Sequence, residues 1–348
     1  MTIFEAENSF NPGLLNNKYT AAYYESKRKD SKAKMSLDEE KLVSNPPAVV
    51  AEEESNPSLN IKNYANIVGY IFNAVFVFGV GNLGWFGLPD NSELSEKYQT
   101  IITPKGTAFA IWSVIYTFQA IFAIMQLFPA YRAKPMVQSG VGYWYLAACI
   151  AQIGWTFAFA TEVLALSLVF MYIILISLMG LLISQYYVEF DLSTSTCSMK
   201  GLIEFWFLRF PFGLHAGWIA AASALNTNVV AVGASASAST QLTVGIISLA
   251  VLHALSVWCL FGFKCPNYTI PLVLSWANFF IYSELLSPKD LILDTFDADI
   301  ITGVSNASLS VSIIIIIQVA VRVAFLGYNY VKGTSYLQAT TNEKVPLL

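Results

Sequence analysis

Residues 164–187 read LALSLVFMYIILISLMGLLISQYY, without one charged side chain, and runs of this kind recur along most of the chain. Crossing a bilayer as a helix takes about 20 apolar residues. In hydrocarbon, backbone polar groups must bond within the segment, which leaves only helices and closed barrels. Runs this long and this apolar select helices. Eight stretches qualify: 64–88, 106–129, 141–161, 164–187, 205–230, 242–263, 269–286 and 304–326. Composition agrees. Of the 348 residues, 55% are hydrophobic and 12% are charged, where a soluble domain carries about 25% charged residues. The expected fold class is all-α, a polytopic membrane protein. The net charge of −4 comes with no basic face, so nucleic acid is excluded as a partner.

Residues 1–60 are polar and of mixed charge, too poor in apolar groups to offset the entropy of ordering. They are expected to form a disordered cytosolic tail, and 328–348 a C-terminal one. Lysine and arginine fix the predicted orientation. The cluster 27–34, Arg132, Lys134, Lys200, Lys264 and Lys332 fall on one side; Lys97, Lys105 and Lys289 fall on the other among many carboxylates. The positive-inside bias then places both termini in the cytosol, in an endomembrane or the plasma membrane. The count is weakest at 269–286, which is short and carries Pro271, so seven spans compete with eight. Cys149, Cys197, Cys259 and Cys265 lack metal-site spacing and read as structural or free thiols. The chain ends in Glu343-Lys-Val-Pro-Leu347-Leu348, which fits an acidic dileucine address.

Polar residues inside spans face protein or a cavity, because lipid offers them no partner. They single out three helices. In 205–230 the apolar pattern is broken by Arg209, Pro211, His215, Trp218 and Asn226. In 106–129, Trp112, Tyr116 and Gln119 share a face at i, i+4 and i+7. In 141–161, Gln152, Trp155 and Phe159 do the same. Span 164–187 is nearly featureless and reads as lipid-facing. Aromatic residues at helical spacing suit a core as well as a ligand wall. For His215, a neutral imidazole bonded to the carbonyl freed by Pro211 competes with an axial ligand to haem.

Residues 103–117, TPKGTAFAIWSVIYT, resemble the start of the second helix of the TspO/translocator (tryptophan-rich sensory) family at Pro104, Phe109, Ile111, Trp112 and Tyr116. Gln152-x-x-Trp155 resembles the family's N-x-x-W on the third helix. Pro211, Phe212, Leu214, Trp218 and Asn226 resemble the pattern of its fifth helix. The motifs occur in family order over about 64–235. The chain departs from the short members at Thr107, where they carry an aromatic residue, and in its long N-terminal tail. The likeness is to a divergent long branch. It implies a five-helix TspO-like core (64–235) with about three additional transmembrane helices (241–327).

The resemblance implies a pocket under the loop between the first two helices, taking a flat hydrophobic ligand such as a tetrapyrrole or a sterol. The expected ligand-binding residues are Trp112, Tyr116, Gln152, Trp155, His215, Trp218 and Asn226. Aromatic walls with a few polar groups suit such a ligand. No cofactor is required on this reading; haem or porphyrin would enter as ligand. Membrane lipids and the hydrophobic small molecule are the expected partners, and the resemblance adds a homodimer. The chain contains no G-x-S-x-G, P-loop or H-E-x-x-H motif, so no enzyme is expected. A transporter or channel for a small solute is the alternative, and a receptor-like protein with a signalling tail is a third reading.

Overall fold

The computed structural model describes residues 57–191, 196–197 and 201–342. Nearly all of the predicted N-terminal tail, Lys200 and the dileucine at 343–348 lie outside the described residues. Eight long helices form among the described residues, where eight apolar stretches stand: α1 (Ile61–Gly81), α2 (Ile111–Met125), α3 (Trp144–Ala160), α4 (Leu164–Glu189), α5 (Phe210–Gly233), α6 (Ala238–Phe261), α7 (Thr269–Leu285) and α8 (Ala298–Asn342). Among the described residues the fold is all-α apart from a two-residue antiparallel pairing, Phe190–Asp191 with Thr196–Cys197. Five segments among the described residues are long and apolar enough to cross a membrane: α1, Gly106–Met125, α4, α6 and Ala298–Asn329. α3, α5 and α7 are shorter or more polar, and they pack among the others.

α1 begins earlier and ends earlier than the hydrophobic run. Asn60 caps it by accepting from the backbone N–H of Lys62 and Asn63, and the Asn63 side chain accepts from the Asn60 N–H in return. The reciprocal pair satisfies orphan donors of the first turn. At the other end the chain leaves the helix through Gly84, Phe86 and Gly87, all with positive φ. Trp85 folds back against Gly79, where a Cβ would lie 2.3 Å from its ring. Residues 82–105 therefore form a cap over the bundle, with its own short helix Asn91–Lys97, rather than a continuation of the span to 88.

α5 is the hub of the packing. It contacts α2, α4, α6 and α7, and Pro211 through Ala220 are buried without a break. Its small residues permit this. A Cβ at Gly217 would lie 2.8 Å from Val273 Cβ and 3.2 Å from Ile270 Cα, both on α7. Close approach at glycine is the usual basis of membrane helix packing. Because α5 meets other helices more than lipid, it tolerates His215, Asn226 and Asn228. Pro211 does not break a straight span. It sits in the first turn of α5, after the wide turn Phe205–Arg209, where its missing N–H is of little consequence. Gln185 on α4 donates to the carbonyl of Leu208 in that turn at 2.7 Å.

α4 is not wholly lipid-facing. Ser167, Met171, Ile174, Ser177, Leu178, Leu181 and Gln185 are buried at spacings of three and four, whereas Leu166, Val169, Ile173 and Ile176 are exposed. α8 extends to Asn342, past the predicted end of its span, and packs on α6 and α7. At 45 residues it is about 68 Å long, more than twice the hydrocarbon thickness. Asn306 is exposed on it. Cys149 and Cys259 are free and buried; Cys265, in the turn before α7, is disulfide-bonded.

Candidate functional site

A cavity of about 630 Å³ opens beneath the 82–105 cap, between α1 to α5. Trp112, Tyr116, Gln152, Trp155, Trp218 and Asn226 all line it. The helical spacing delivers them in pairs. Trp112 and Tyr116 lie one turn apart on α2 with ring centroids 5.7 Å apart, and Trp218 of α5 meets Trp112 edge-on at 6.5 Å. Phe109, in the turn before α2, packs edge-on against Trp218 at 5.4 Å. Across the cavity, Trp155 stacks on Phe159 at 5.1 Å with ring planes 12° apart.

The polar wall is self-bonded. Asn73 on α1 donates to Gln152 Oε1 at 3.2 Å, and Gln152 Nε2 donates to the Tyr116 hydroxyl at 3.2 Å. Trp155 Nε1 donates to Asn226 Oδ1 at 2.8 Å, while Asn226 Nδ2 donates to Ser167 Oγ at 3.2 Å. These bonds fix the orientation of the flat walls and satisfy polar groups that lipid could not, although Asn73 Oδ1 stays buried without a partner.

His215 is placed elsewhere. It is buried behind Trp112, its ring 5.7 Å from the indole, and does not line the cavity. Its Nδ1 lies 2.8 Å from the Gln119 amide, which in turn accepts from the Tyr145 hydroxyl at 3.2 Å. The sequence offers His215 either a backbone carbonyl freed by Pro211 or a ligand; a side chain from α2 takes the place of the carbonyl because Pro211 stands at the helix start, and the expected place among the cavity residues is not met. Thr107 is exposed and also stays outside the cavity.

The mouth is held by side chains that sequence reading left unassigned. Lys97 and Tyr98, at the end of the cap helix, both donate to the carboxylate of Glu162. Those bonds, Lys97 first, hold the Glu162 carboxyl below its ordinary range, and the same contact raises the Lys97 ammonium and the Tyr98 hydroxyl. Glu162 sits in the turn between α3 and α4 with φ 59°. Val163 N–H bonds to Ala158 O and Glu162 N–H to Phe159 O, a Schellman turn whose left-handed position usually holds glycine. Opposite, Lys289 reaches Glu96 at 3.2 Å and Gln99 donates to Glu284 at 2.9 Å. The later helices support the rim as well: Lys105 N–H bonds to Phe280 O at 3.0 Å, and Trp276 Nε1 to Ala108 O at 3.3 Å. Met171 and Ile174 of α4 complete the lining. Only an exposed charge pattern spread over three distant segments marked the mouth in the sequence.

The helices and the enclosed aromatic cavity define an integral membrane protein of the all-α, polytopic class. The family described as TSPO-like protein matches residues 63–326, and the chain belongs to that family. The match runs beyond 235 through α6, α7 and nearly all the membrane-length part of α8. Neither the curated proteins nor the solved structures compared with the chain give a match.

Proposed function

We propose that the protein is a membrane-embedded binding or sensory protein, not an enzyme, that holds a flat hydrophobic ligand of tetrapyrrole or sterol type in the cavity under the 82–105 cap. One observation carries the reading: Trp112, Tyr116, Trp155 and Trp218 converge on a single space of about 630 Å³, within the usual range for small-molecule sites. Haem or porphyrin would enter as ligand, without a metal-binding role for His215, and lipids surround the bundle. Titration of the detergent-purified chain with haem, protoporphyrin and cholesterol tests it. Saturable binding of at least one, weakened in Trp112→Ala and Trp218→Ala, is expected. Absence of saturable binding, or binding unchanged in both variants, overturns the reading.

For orientation, the lysine and arginine distribution supports cytosolic termini. The disulfide at Cys265, on the same side as the termini by alternation of the helices, argues the other way, since disulfides persist in oxidising compartments; the charge bias, repeated over several loops, carries the orientation. We place the termini in the cytosol. Protease access to tags at both ends tests this, and protected tags in sealed vesicles overturn it.

A further inference from the structure

The lining of the cavity mouth carries more acid than base, and Lys97 beside it is paired with Glu162. Asp90, Glu96 and Glu284 line it together with one cation, Lys289, and Lys289 is engaged by Glu96 at 3.2 Å. Asp90 caps the short helix through the N–H groups of Ser92 and Glu93. Glu284 differs from both. It is half-buried at the end of α7, and among the described residues its partner is the neutral amide of Gln99, 2.9 Å away. Gln99 is itself 2% exposed, and its Oε1 is buried without a donor. A carboxylate positioned by a neutral amide thus stands at the mouth of an aromatic cavity. Aromatic faces attract cations through the ring quadrupole, and a carboxylate with no cation beside it favours an incoming ammonium.

We propose that the cavity selects amphiphiles with a flat apolar body and a basic nitrogen, the ammonium pairing with Glu284 at the mouth, over ligands of the same shape that end in a carboxylate. The selection rests on the cavity being a ligand site, as proposed above. An acidic end group would meet three carboxylates and a lysine already engaged. A cationic one adds an ion pair with Glu284, which lines the cavity. The selecting residue lies on α7, so the later helices set the head-group preference while the first five form the walls.

Three sterols with one ring system separate body from charge: cholesterol, its 3-amino analogue and its hemisuccinate ester. They are titrated by tryptophan fluorescence into the full chain in a non-ionic detergent. The expected order is amine, then hydroxyl, then hemisuccinate, with about fivefold between steps, the scale of a partly exposed ion pair. Glu284→Gln keeps the acceptor for Gln99 and should remove the advantage of the amine over cholesterol. Lys289→Gln frees Glu96 and should widen the gap between amine and hemisuccinate. Cholesterol binding with no amine preference, a tighter hemisuccinate, or an amine preference that survives Glu284→Gln overturns this selection and leaves the cavity reading standing. Failure of all three sterols and of protoporphyrin to bind overturns both.

Discussion

The bond from Trp155 to Asn226 ties α3 to α5 and sets the angle of one cavity wall. Asn226→Leu keeps the volume and removes the acceptor. Asn226 is 4% exposed, so the indole N–H, 2.8 Å from Oδ1, has no ready replacement. An unsatisfied buried donor costs about 1–3 kcal/mol. Ser167 is not orphaned by the change, because its hydroxyl also donates to Leu164 O at 2.8 Å. Trp155→Phe is the complementary change: it keeps an aromatic ring over Phe159 and removes the donor. The double variant removes both polar groups and leaves neither unpaired. Its loss should fall short of the sum of the single losses by about 1–2 kcal/mol. Unfolding followed by near-ultraviolet dichroism in detergent measures the three differences, each kcal/mol moving the midpoint by about 2–4 °C for a chain of this class. Losses additive within about 0.5 kcal/mol, or a stable Asn226→Leu, would refute the argument that this bond positions the wall.

Gly217→Val should destabilise the chain by about 1–3 kcal/mol through overpacking against Val273 and the backbone at Ile270; Gly303→Ala, where a Cβ meets nothing within 4 Å, is the control, and equal midpoints for the two would count against the α5–α7 contact. His215→Leu strips Gln119 of a partner at 2.8 Å and should cost about 1–3 kcal/mol while leaving ligand affinity intact; a loss of affinity as large as that of Trp112→Ala would return His215 to the cavity. Glu162→Gly suits the left-handed turn better than glutamate does, so the hairpin should survive while hydrogen exchange at Asn91–Lys97 accelerates; unchanged exchange would show that the latch does not hold the cap. The latch should also respond to pH. The folded-state value of Glu162 is depressed, so its contribution is present above the ordinary glutamate value of 4.5 and is lost only as pH falls through the lower folded value. Protection of the cap relative to the intrinsic exchange rate should therefore hold down to about pH 4.5 and fall below it, and a loss of protection already above about pH 5 would contradict the sign.

Much of the site was legible because it lies on regular helices. Trp112 and Tyr116, and likewise Gln152 and Trp155, share a face by spacing alone, and the structure sets both faces on one cavity. His215 lies away from the cavity for a specific reason. Its neighbours in sequence suggested a freed carbonyl, but Pro211 opens its helix, and the true partner, Gln119, comes from a helix 96 positions away. α4 shows a different limit. Its outward and inward residues are almost equally apolar, so no periodicity separates Met171 and Ile174, which line the cavity, from Ile173 and Ile176, which are exposed.

The sequence by itself determined that this protein is a bundle of membrane helices, where most of the helices lie, and which aromatic and amide side chains turn inward. Those properties follow from local length, hydrophobicity and period, which the bilayer enforces segment by segment. Only the tertiary structure decided that α5 is central, that the 82–105 segment closes the cavity, and that Glu162, Glu284 and Lys289 meet the cap. Such charges are ordinary loop residues in the sequence. Their role comes from helix ends that are distant along the chain and adjacent in space, and no local rule encodes that adjacency.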